Sequence, residues 1–89
     1  MSNFTGMDIA GVRQLSQLLN SKADEIDQIR SQLTSSLNGT QWVGNDRNQF
    51  TNDWQGQYTN ALNTVVQGLR DASQRASRNA DEQETASAS

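Results

Sequence analysis

The sequence predicts an all-α protein: an antiparallel two-helix hairpin that dimerises into a four-helix bundle. Three observations predict it. Apolar residues recur at seven-residue spacing in two long stretches. Proline is absent from all 89 residues, so nothing interrupts a long helix. A cluster of glycine and asparagine stands between the two stretches, where a chain reverses.

The first helix is expected over about 7–38. Val12, Leu19, Ile26 and Leu33 form one seven-residue row, and Leu15, Lys22 and Ile29 form its companion three residues later. Leu18 and Leu37 widen the stripe. Thr5 followed by Asp8 fits an [ST]-x-x-[DE] start, and Asp8 is an alternative cap. Lys22 interrupts its row. Its stem suits cover of apolar surface with the ammonium in water, and the other reading is a register device paired with an acid of a partner helix. Asp24, Glu25 and Asp27 read as a solvated acidic face.

Residues 39–44 are expected to turn, within Asn38-Gly39-Thr40-Gln41-Trp42-Val43-Gly44-Asn45. The second helix is expected over about 45–80. Phe50 and Trp54 lead into rows made by Tyr58, Val65 and Ala72 and by Leu62, Leu69 and Ala76. Side chains shrink along this helix, so its end past Ala76 is expected to fray. Arg70, Arg75 and Arg78 near that end suit the negative pole of the helix. Residues 1–80 thus form one hairpin domain, each arm about 45 Å long at ~1.5 Å per residue. Residues 81–89 carry no large apolar side chain and are expected to form a polar, flexible tail.

Composition limits function. Cysteine and histidine are both absent, which removes disulfides, thiol catalysis, a Ser-His-Asp triad and His-ligated metal. No catalytic, cofactor-binding or metal-binding residue is expected, and an enzyme is not expected. A net charge of −3 lacks the basic stripe of a nucleic-acid binder. No apolar run reaches the ~18–20 residues needed to cross a bilayer, so no stable membrane insertion is expected. No basic, then apolar, signal segment opens the chain. Leu, Ile, Val and Phe together make about 18% of the chain, near the ~20% below which disorder competes. A lone hairpin leaves the flanks of its stripes wet, so a second chain is expected to cover the seam Val12, Leu15, Leu19, Ile26, Ile29, Leu33, Phe50, Trp54, Tyr58, Leu62, Val65 and Leu69.

Trp42-Val43-Gly44 is a W-x-G at the midpoint of a short, helical, cysteine-free chain, with Phe50 and Trp54 following. On physics alone it is a turn in which Trp plugs the bundle end and Gly permits positive φ. In this context the whole chain resembles the WXG family of ESAT-like type VII secretion proteins, from Gly6-Met7-Asp8-Ile9 to Asn79-Ala80-Asp81-Glu82-Gln83. Those ends are most similar to actinobacterial members. The resemblance implies a helical hairpin that pairs with itself or a related WXG protein. It implies export, after cytoplasmic synthesis and without a cleaved leader, by a membrane complex driven by a hexameric FtsK/SpoIIIE-type ATPase. It also implies a two-part export signal: the W-x-G turn of one chain beside a C-terminal Y-x-x-x-[DE] of the other. Trp42 and Gly44 match the first part. Asp81 and Glu82 supply acids for the second, but Ser77 and Arg78 stand where Tyr belongs. The secreted protein is then a substrate, effector or co-secretion partner. The alternatives are a membrane-active amphipathic helical protein and a generic dimeric helical module.

Overall fold

The computed structural model describes residues 6–88. It is an all-helical hairpin, and its described residues include no strand. Helix α1 spans Ile9–Gly39, α2 spans Asn45–Asp53 and α3 spans Thr59–Ala88. One π-helical turn, Trp54–Tyr58, joins α2 to α3 without a break. Together these three segments make a single second arm lying antiparallel to α1. At ~1.5 Å per residue that arm accounts for the full 65 Å of a molecule only 18 Å by 14 Å across.

Asp8 is the cap of α1. Its carboxylate accepts from the Gly11 N–H at 3.0 Å, and its carbonyl accepts from Val12 at 2.8 Å. A Cβ at Gly11 would meet that carboxylate, so a larger residue there would have to shift the Asp8 side chain. Thr5, the other predicted start signal, lies outside the described residues. At the far end the Thr40 hydroxyl donates to the Ser36 carbonyl at 2.6 Å, closing an acceptor of the last turn.

The seam between the arms takes in only part of the expected set, Trp54 with Val12, Leu19, Ile26, Leu62 and Leu69. Its most buried residues are Ala23, Ala80, Val66, Trp54, Ser16 and Leu37. They form seven-residue rows of their own: Ser16, Ala23, Arg30 and Leu37 in α1, and Val66, Ser73 and Ala80 in α3. Val12, Leu19 and Ile26, with Leu62 and Leu69, flank these rows half-buried. Small residues at the centre let the backbones approach closely. The Ser16 and Ser73 hydroxyls each donate to the other residue's carbonyl at 2.7 Å, a reciprocal pair that satisfies both hydroxyls inside the seam.

Leu15, Ile29 and Leu33 face outward, as do Phe50, Tyr58 and Val65, each 38–50% exposed. Leu33 leaves its predicted row for a geometric reason. A straight helix drifts ~20° per heptad against a seven-residue repeat. By Leu33 the row begun at Val12 has turned ~60° away, and Thr34 and Leu37 take the inner places.

The end of the second arm is a correction as well. Residues 81–88 are helical rather than a flexible tail, and Ala80, beyond the expected fraying point, has no exposed surface. Arg13 of α1 holds this end, with Asp81 and Glu84 each at 2.7 Å. Nor are Asp24 and Asp27 a purely solvated face, because Arg70 reaches across to them at 2.9 and 3.3 Å and to Asn20 at 2.9 Å. Arg70 therefore serves as a clamp between the arms. Lys22 pairs with Glu25 on its own helix at 3.1 Å.

Candidate functional site

The outward apolar residues are not scattered. In α1, Leu15, Leu18, Lys22, Ile29 and Leu33 lie about a quarter turn from the inner row, at ~100° per residue. In α3, Val65 lies a similar quarter turn from the row of Val66, Ser73 and Ala80, in the same rotational sense. For antiparallel arms that sense carries both displacements to one side. One broad face of the hairpin is therefore apolar. The charged clamps lie on the other: Asn20, Asp24, Asp27 and Arg70, and Arg13 with its acids, are displaced in the opposite sense. Each clamp raises its arginine's pKa. The Asp81 hydrogen bond does so for Arg13 and the Asp24 hydrogen bond for Arg70, in both cases against a smaller opposing cost of desolvation.

The W-x-G lies in the hairpin turn. Gly44 has φ 132° and ψ −177°, a conformation that L residues rarely adopt, and it caps α2 by accepting from the Asn48 N–H at 3.1 Å. Trp42 is only partly covered by its own hairpin. It is 42% exposed, with its N–H donating to Thr40 O at 2.9 Å. Its ring stands 6.2 Å from Phe50, whose own neighbours are Trp54 at 6.0 Å and Tyr58 at 6.4 Å. Of these four rings only Trp54 is buried; its indole N–H donates to Thr34 Oγ1 at 2.9 Å. Val43, 84% exposed, forms the tip. An open cleft of about 430 Å³ beside the turn is lined by Trp42, Val43, Arg47 and Asn48 among others.

Within one chain the predicted signal residues are not brought together. Trp42 and Gly44 occupy the turn, whereas Asp81 and Glu82 lie at the opposite end of a 65 Å rod. Asp81 is engaged by Arg13, and Glu82 is exposed. Among the described residues no group of three or more His, Cys, Asp or Glu is placed to hold a metal ion. No described helix is long and apolar enough to cross a membrane. Sequence reasoning missed Ser16, Ala23, Thr34, Val66, Ser73 and the π turn. Signals existed for Ser16, Ala23, Val66 and Ser73, since Ser16-Ala23-Arg30-Leu37 and Val66-Ser73-Ala80 are heptad rows. They escape a search for large apolar side chains.

Comparison with protein-family models, with curated proteins and with solved structures gives no match to this chain.

Proposed function

We propose that this chain is a small non-enzymatic protein exported by a type VII secretion system as a folded helical dimer, acting as substrate or co-secretion partner. The reading rests on its resemblance to the WXG family. The observation that carries it furthest is a W-x-G whose Trp is presented to solvent at a hairpin tip and whose Gly has a backbone that L residues rarely adopt. A motif kept only for folding needs the glycine but not an exposed indole. The apolar face supports the dimer, because Leu15, Leu18, Ile29, Leu33, Tyr58 and Val65 lie there about half exposed. A second copy or a related chain laid on that face makes four helices from two. The second, signal-completing part is then supplied between chains, which suits the placing of Trp42 at the turn and of Asp81 and Glu82 near the other end of the rod within one chain.

The test is export from a host carrying a type VII apparatus, for the parent chain, Trp42→Ala and Glu82→Gln. Truncation after Arg78 is a poor test, because it also removes buried Ala80 and the acids that Arg13 holds. Trp42→Ala is expected to stop export while helix content and association stay at parental values. Undiminished export of Trp42→Ala, or a parent chain that never leaves the cell when co-produced with a related partner, overturns the proposal. The same assay separates this reading from a generic helical interaction module, which the apolar face also suits and which would stay inside.

A further inference from the structure

The π turn at Trp54–Tyr58 is the one departure from α-helical geometry among the described residues of the second arm, and its effect on side-chain phase can be followed residue by residue. Downstream, the inward positions of α3 run through Leu62, Val66, Leu69, Ser73 and Ala80. Carried back through an unbroken α-helix, that series places Gln55, Asn52 and Asn48 inside. The inward residues are instead Trp54, Thr51 and Arg47, each one position earlier, while Gln55, Asn52 and Asn48 are exposed. A π turn inserts one residue into a helix, and one residue is the whole of the offset.

The hydrogen bonds show how the insertion is held. The Thr59 N–H donates to Trp54 O, five residues back, and so leaves Gln55 O, the acceptor it would serve in an α-turn. The Thr59 hydroxyl donates to Gln55 O at 3.0 Å in its place. At the front of the turn the Trp54 N–H is shared between Phe50 O and Thr51 O. Gly56 lies inside the turn, and nothing comes within 4 Å of where its Cβ would stand. The glycine thus supplies length rather than clearance.

We infer that Trp54–Tyr58 is a built-in register shifter. Its extra residue assigns the Trp54 indole to the hairpin interior, against Thr34, and leaves Phe50 and Tyr58 on the aromatic outer side with Trp42. Without it an unbroken second arm would seat Gln55 opposite Thr34 and turn Trp54 outward. The shifter therefore decides which of four aromatic rings the turn end buries and which it presents.

Removal of one residue from the turn is the test. Deleting Gly56 makes Trp54 the residue four before Thr59, so the existing Thr59–Trp54 hydrogen bond becomes an ordinary α-helical one and both flanks keep their phase. Deleting Gln67, an exposed residue of regular α3, rotates everything on one side of it by about 100°. The Gly56 deletion is expected to keep the parent's helix content and the buried, blue-shifted emission of Trp54, with a melting temperature at or above the parent's and slower amide exchange at Tyr58–Asn60. The Gln67 deletion is expected to lose the cooperative transition. Thr59→Val is expected to lower the melting temperature of the full-length chain and to leave that of the Gly56 deletion unchanged, because only in the native chain has the Thr59 N–H left Gln55 O to the hydroxyl. Equal damage from the two deletions overturns the inference, and so does a Thr59→Val effect of the same size in both backgrounds.

Discussion

The two broad faces of this hairpin are built from different chemistry. On one, Leu15, Leu18, Ile29, Leu33, Tyr58 and Val65 present apolar surface, each about half exposed, interrupted by Lys22. On the other, Arg70 grips Asn20, Asp24 and Asp27, and Arg13 grips Asp81 and Glu84. The clamped face is complete within one chain, since its charges find their partners across the arms. The apolar face finds nothing in its own chain to cover it. Between them the seam is narrow and small-residued, with Ala23 and Ala80 fully enclosed and no large side chain wholly buried. A chain that centres its seam on small residues and leaves Leu15, Leu18, Ile29, Leu33, Tyr58 and Val65 about half exposed keeps part of its burial capacity for association.

The strongest way to break this contrast is to make the apolar face polar. Leu15→Ser combined with Ile29→Ser alters two side chains that are about half exposed in the single hairpin. Covering what remains of each by a second chain is worth about 1 kcal/mol, half the usual value of a buried aliphatic residue, and a symmetric dimer counts it twice. The parent is expected to sediment as a dimer at micromolar concentration and the double variant as a helical monomer. A parent that sediments as a folded monomer breaks the contrast outright.

How much of this was legible in the sequence follows from the same residues. Helix boundaries at Asp8 and near Gly39 and Asn45 were readable, because caps and glycines are local signals. The choice of inner row was not. Val65 and Val66 are equally apolar neighbours, and Val66 goes in because it shares its row with Ser73 and Ala80, whose side chains are small. Heptad counting favoured large side chains, whereas this seam is organised by Ser16, Ala23, Ser73 and Ala80. The last helical turns were hidden for another reason. Ala, Glu and Gln there favour helix locally, but the Arg13 that anchors them lies about 70 residues away in the chain. For the candidate site, Trp42 and Gly44 were legible as a turn. That Trp42 is presented rather than packed was not, because the path of the backbone decides it.

A smaller effect is expected on the clamped face. Arg70→Gln removes the cation shared by Asp24 and Asp27 while leaving the apolar face intact, so association is expected to persist as stability falls modestly. The parent's advantage over this variant is expected to shrink as salt is raised, since the charges are open to solvent. The pH dependence has a definite sign. A guanidinium whose pKa is raised in the folded chain gives stabilisation that is fully present below its unfolded value and lost as pH climbs through the folded one. That window lies above any working pH, so the Arg70 contribution is expected to stay flat through neutral and mildly alkaline conditions. Melting curves of parent and variant at two salt concentrations check both statements.

The smallest change distinguishes a bare apolar face from a covered one. Gly68 lies on the outward side of α3, three residues past Val65, exposed and with nothing within 4 Å of where a Cβ would stand. In a lone hairpin Gly68→Ala is expected to stabilise by about 0.5–1 kcal/mol, because alanine loses less backbone entropy in a helix. In a dimer the sign depends on how closely the second chain approaches. A glycine between Ala61 and Ala72 on one flank is where another backbone fits nearest, and there an added methyl forces the helices apart. Thermal melts at two protein concentrations separate the cases. A gain at high dilution that disappears as dimer forms puts the second chain directly over Gly68; an equal gain at both concentrations moves the contact along the face toward Leu15 and Ile29.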